Sequence, residues 1–228
     1  MLALKQALSL VSTKSSSSWS PTNESSLEAW YQKGVGITLE TGVSRWADSS
    51  SNENTMAQST GDNQPSYADG ILTFTATATD YLILAGADIT LGADFTIGVR
   101  LNITSAGGII LGDNTEDGEF IKVFSITKLR IKIDNATAVD IQLDSGTLLG
   151  SESYMVLTRA ADTDVITLHW NGVAQVDKET MTGTSNIDSI GVRKTNLNPY
   201  DGTIREIQIY SSTSADLTAN VNTRLASL

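Results

Sequence analysis

The chain has 228 residues, 40% apolar and 18% charged, with a formal net charge of −11, one histidine and no cysteine. The lack of cysteine excludes disulfides and thiolate metal sites. So acidic a chain argues against nucleic-acid backbones and anionic membranes as partners. Ser, Thr, Asn and Gly stand where charge is usual, which suits strands with polar outer faces joined by many turns.

Residues 1–11 read MLALKQALSLV. Lys5 and Gln6 interrupt the apolar run, no small-residue cleavage site clearly follows, and no stretch approaches the roughly 20 apolar residues of a membrane span. The segment reads as an arm that stays on the protein. Leu2, Leu4, Ala7, Leu8 and Leu10 make it apolar, and the Ser-rich residues 12–18 make a flexible linker. Residues 1–26 are therefore assigned to an N-terminal arm and linker, and residues 27–228 to one folded domain. Five apolar side chains in a short arm suggest docking on another surface; a loose terminus is the alternative.

Ser25 and Ser26 precede Leu27, Trp30 and Tyr31, whose spacing predicts a short helix over residues 27–33, ended by Gly34 and Gly36. Residues 43–47 carry Trp46, a polar loop covers 48–54, and Asn63-Gln64-Pro65 marks a turn. From Ile71 the apolar period becomes two. Phe95, Ile97, Val99 and Leu101 alternate with Thr96, Gly98 and Arg100. Leu129, Ile131 and Ile133 alternate with Arg130 and Lys132; Val139, Ile141 and Leu143 alternate with Asp140 and Gln142. Asn171-Gly172 calls for a tight hairpin between residues 165–170 and 173–176. In residues 203–210 a change of parity predicts a bulge near Arg205-Glu206. Leu217, Val221 and Leu225 form a helix stripe, with Asp216 as its expected N-cap. About a dozen short strands at regular spacing predict an all-β, two-sheet antiparallel jelly-roll sandwich with a C-terminal helix.

The order of these features carries a resemblance. It runs through Leu27-x-x-Trp30, residues 43–52 (VSRWADSSSN), Gln64-Pro65, Leu72-Thr73-Phe74, Asp80-Tyr81-Leu82 and Phe95-Thr96-Ile97. Trp170-Asn171-Gly172, residues 202–210 (GTIREIQIY) and the tail from Leu217 to Leu225 complete it. The series resembles the concanavalin A-like, laminin-G-like jelly-roll superfamily, in particular the versions in tailed-phage virion proteins, notably those of marine cyanobacterial phages. The resemblance covers residues 27–228. It implies a structural protein of the virion, on capsid or tail, that assembles with other virion proteins and as a homo-oligomer, with the arm as the docking element. In loop 48–54, Ser and Glu stand where members usually carry Gly, which puts backbone-carbonyl ligation there in doubt.

Candidate chemistry is sparse. Glycosidases on this fold resemble one another in a Glu-x-Asp-x-x-Glu strand motif, whose two carboxylates would serve as nucleophile and acid. Glu116-Asp117-Gly118-Glu119 has the wrong spacing, and Glu206 stands alone on its strand. His169 has no Gly-x-Ser-x-Gly partner motif, and one histidine without cysteine does not make a typical zinc site. Asp113, Asn114, Glu116, Asp117 and Glu119 are the densest oxygen cluster. Asp113 and Asp117 are the candidate calcium ligands, against a solvated hairpin loop as the plainer reading. Trp30 and Trp46 read as core, whereas Trp170, at a strand end, could be exposed and stack on a sugar. No cofactor other than calcium is expected. The reading is a non-enzymatic virion protein, with a carbohydrate-binding module for host or glycan attachment as the alternative.

Overall fold

The computed structural model describes residues 19–115, 120–134 and 136–228. In chain order the first strands are β1 (Leu27–Tyr31), β2 (Ile37–Leu39), β3 (Val43–Trp46), β4 (Met56–Ala57), β5 (Ser66–Ala68), β6 (Ile71–Phe74), β7 (Leu82–Leu84) and β8 (Ile89–Leu91). Next come β9 (Phe95–Ile103), β10 (Ile109–Gly112), β11 (Phe120–Val123), β12 (Lys128–Lys132), β13 (Val139–Gln142) and β14 (Glu152–Ala160). The last strands are β15 (Val165–Trp170), β16 (Val173–Thr180), β17 (Ser185–Ile187), β18 (Ser189–Ile190) and β19 (Gly202–Tyr210), followed by helix α1 (Ala215–Ala226).

Two large antiparallel sheets form a sandwich. The first runs β16-β15-β14-β9-β19-β6-β5, with β1 pairing the other half of β19; the second runs β13-β12-β11-β10-β18-β7-β4-β3-β2. Strands β8 and β17 make a separate ribbon. Alternation drives the packing. In β9, Phe95, Ile97, Val99, Leu101 and Ile103 enter the core between the sheets, where Met155, Leu157, Ile121, Leu129, Ile131 and Ile141 meet them. The expected bulge lies between Ile204 and Glu206 and keeps Ile204, Ile207 and Ile209 in that core. Asn171 (φ 50°) and Gly172 (φ 81°) make the left-handed turn that their sequence calls for.

A second apolar cluster lies on the outer face of the first sheet, under α1. Leu217, Val221 and Leu225 pack there against Leu27, Trp30, Val156 and Tyr210. Trp19 joins this cluster from the N-terminal side, its Nε1 donating to Glu24 at 2.8 Å.

Three expectations are corrected. Residues 27–33 do not form a helix: Leu27–Tyr31 is a strand paired with β19. A register shift between Leu27 and Ala29 puts Leu27 and Trp30 on one face and Ala29 and Tyr31 on the other. The bulge thus imitates helical i, i+3 spacing. The cap of α1 is Ser214, whose Oγ accepts from Leu217 N at 3.0 Å, and Asp216 sits inside the first turn. Trp170 is buried in the main core at 8% exposure. Short strands such as β2, β4, β5, β8 and β17, of two or three residues each, are too brief for periodicity to mark.

Candidate functional site

Glu206, the lone carboxylate of its strand, is fully buried beneath α1. Its Oε1 accepts from Trp30 Nε1 (3.0 Å) and Gln208 Nε2 (2.8 Å), and Arg224 bonds both of its oxygens. A carboxylate so covered and so fully bonded holds the helix to the sheet and offers nothing to a substrate.

The acidic loop follows β10. Asp113 is buried, its Oδ1 accepting from the backbone N–H and hydroxyl of Thr115 at 2.9 and 2.8 Å. Its carbonyl accepts from Lys194 N at 2.8 Å. Asp188 lies beside it and accepts from Asn114 N at 2.6 Å. Burial pushes the Asp188 carboxyl above its ordinary range, and the charges of Asp113 and Asp88 add to that rise. Asp117 falls in residues 116–119, outside the described residues. Among the described residues no three His, Cys, Asp or Glu side chains gather in a way that could hold a metal ion.

In loop 48–54, Asp48 organises the backbone, accepting from Trp30 N (2.8 Å), Ser50 N (2.8 Å) and Asn54 N (3.0 Å). Glu53 takes φ 57°, a conformation that favours glycine. His169 is half-buried on β15. With Lys178, Thr218 and Asn222 it lines a groove of about 550 Å³ beside α1. Burial first, and then the Lys178 charge, push its imidazole below the ordinary value.

The arrangement with the clearest recognition chemistry is on the outer face of the second sheet, over β11, β12 and β13. Residues whose neighbours in sequence enter the core point outward there, and the register sets them side by side. Phe120 faces Lys132; Lys122 faces Arg130, which faces Asp140; Lys128 faces Gln142. Directly opposed residues place their Cβ atoms about 4.5–5.5 Å apart. Arg130 donates to Asp140 through Nε (2.6 Å) and an Nη (2.9 Å) in a planar two-point pair. Those hydrogen bonds hold the Asp140 carboxyl below its ordinary value. The same guanidinium stacks 3.4 Å from the ring centre of Phe124, which is 40% exposed just beyond β11. Arg193 lies over Phe120, 5.1 Å from the ring centre. The sequence carries the polar–apolar alternation of each strand, but only pairing assembles the face.

The family model for the concanavalin A-like lectin/glucanases superfamily matches residues 74–216. The chain belongs to this superfamily. Among solved structures, this concanavalin A-like domain is similar to domain 4 of AbnA, a GH43 extracellular arabinanase from Geobacillus stearothermophilus, determined in complex with arabinotriose. The identity is 16% and the TM-score 0.62, over 88% of this chain and 98% of that one. It is also similar to a Trypanosoma rangeli sialidase in complex with sialic acid, at 14% identity and TM-score 0.60, over 90% of this chain but 33% of the sialidase. A heptameric SAP-like pentraxin from Limulus polyphemus follows at 13% identity and TM-score 0.53, over 68% and 81% of the two chains. At such identities the likeness is one of fold. No curated protein matches the sequence.

Proposed function

We propose that this chain is a non-catalytic glycan-binding module. The observation that carries the reading is the partly exposed Phe124 ring, in the turn after β11, beside the planar Arg130–Asp140 pair on the strand face. An aromatic ring stacks on the apolar face of a sugar, and fixed planar polar groups hydrogen-bond its hydroxyls. Strands β12 and β13 hold the Arg130–Asp140 pair, and the tight β11–β12 turn, closed by Phe124 N donating to Lys128 O at 3.0 Å, holds the ring beside it. The superfamily and the arabinotriose complex of the arabinanase domain support the reading. The burial of Glu206 under α1 supports a binding role over hydrolysis.

The test is a glycan array with purified protein, followed by titration of the strongest binder. Phe124→Ala is expected to weaken binding about tenfold, equivalent to one good ring contact, with the melting temperature unchanged. An array without binders would refute the reading.

A second reading, display on a phage capsid or tail among other virion proteins, is motivated by the sequence resemblance and the apolar arm. The two are compatible, because a glycan module on a particle would serve host attachment. Co-sedimentation with intact virions tests it.

A further inference from the structure

We infer that the face over β11–β13 selects acidic glycans, chains carrying carboxylate or sulfate groups, over neutral ones. The inference rests on the glycan-binding reading above and names the class of sugar for the same site.

The argument begins with charge. The chain carries 15 Lys and Arg against 26 Asp and Glu. On this face, among the described residues, the cations Lys122, Lys128 and Arg130 stand in the ladder with Asp140. Asp140 is already engaged at two points by Arg130. The Lys122 ammonium has no ion-pair or side-chain hydrogen-bond partner among the described residues, and the Lys128 charge acts on Asp140 from the next outward position of β12. Lys122 is opposed directly to Arg130 in the ladder, and like charges so placed repel. Burial, Arg193 and Arg130 together hold its ammonium below the ordinary lysine value. A bound anion would relieve that repulsion.

Geometry favours a sugar chain over a nucleic acid. Three strands span about 10 Å, two inter-strand spacings of about 4.8 Å, so the face meets only a few ligand charges. Duplex DNA places a charge every ~1.7 Å of axis, much denser than the cation spacing here. Its length would also run onto the acidic remainder of a chain with net charge −11. An acidic oligosaccharide spaces its charges ring by ring and offers apolar ring faces to Phe124.

The test is calorimetric titration of the full chain with oligogalacturonate and with chondroitin sulfate oligosaccharides. Neutral arabino- and gluco-oligosaccharides and a short single-stranded DNA serve as comparisons. Either acidic sugar is expected to bind at least about tenfold more tightly than the neutral ones at low salt, with affinity falling as salt rises. The double variant Lys122→Gln, Lys128→Gln should lose the preference and keep its melting temperature; Lys178→Gln, on the opposite sheet, should behave as wild type. If neutral sugars bind as tightly and the double variant is unaffected, this inference falls while the glycan reading stands. If no sugar binds, both fall. If the DNA binds as tightly as an acidic sugar of equal charge, the face is a general polyanion surface and the inference falls.

Discussion

Arg224, in the last turn of α1, donates two hydrogen bonds, of 2.5 and 2.9 Å, to the carboxylate of Glu206 on β19. Glu206 is fully buried, whereas the Arg224 side chain keeps 22% of its surface. The guanidinium also lies 4.8 Å from the Trp30 ring centre. One pair thus ties the C-terminal helix, the central strand and the first strand together.

Removing one partner strands the other. Arg224→Ala leaves a buried carboxylate with its neutral donors alone, and a loss of about 3–5 kcal/mol is expected for a broken buried pair. The solvent-facing edge of Arg224 puts the figure at the lower end. The double change Glu206→Gln, Arg224→Met should recover more than half of that loss, because no unpaired charge remains. Urea unfolding measures both; an Arg224→Ala midpoint equal to wild type would mean that water reaches Glu206.

Gly98, near the middle of β9, lies beneath Val221 and Leu225 of α1. A Cβ there would meet Val221 Cγ1 at 2.5 Å and Leu225 Cδ1 at 3.1 Å. Alanine is ordinarily the better strand residue, so any loss reports crowding. Gly98→Ala is expected to cost about 1–3 kcal/mol by overpacking. Adding Val221→Ala should make the double variant more stable than the sum of the single effects. Strict additivity would show that the helix shifts without cost.

Asp80 supplies a pH test. Burial raises its carboxyl above the ordinary value, against the lowering effect of hydrogen bonding with Thr75, whose N–H it accepts at 2.8 Å. A raised folded value contributes stability that is complete below the unfolded value of about 3.9 and is lost as pH rises through the folded one. At pH 7 the protein therefore carries the cost of a buried charge. Asp80→Asn keeps an acceptor for Thr75. It should raise the melting temperature at pH 7 by a few degrees, about 2–4 °C per kcal/mol for a chain this long, and the gain should vanish by about pH 3. Melting curves across that range check it; a lower melting temperature at pH 7 would show that the ionised carboxylate is net favourable.

Deleting residues 1–17 should leave the sandwich folded, since the residues from Trp19 onward supply both sheets and the buried side chains of both described clusters. If the arm docks on virion partners, the same deletion abolishes co-sedimentation with particles. Circular dichroism and sedimentation read the two effects separately. Loss of folding would place the arm in the core, and unchanged sedimentation would move the docking surface elsewhere.

Local chemistry was legible in the sequence wherever one residue's neighbours decide its conformation. Alternation in residues 95–101 and 129–133 marked buried strand faces, Asn171-Gly172 marked the left-handed turn, and Leu217, Val221 and Leu225 marked the helix stripe. Where a distant strand supplies the partner, the one-dimensional pattern misled or stayed silent. Leu27 and Trp30 share a face because β1 bulges against β19, about 180 residues further along the chain. Trp170, by contrast, follows the alternation of Ile166 and Leu168 into the core, so its burial lay in the strand pattern itself. Lys122, Arg130 and Asp140 are separated in sequence by hairpin turns, and only antiparallel register sets them in one row. A side chain's face follows from local backbone geometry, whereas its neighbours on that face follow from strand pairing, which the tertiary structure alone decides.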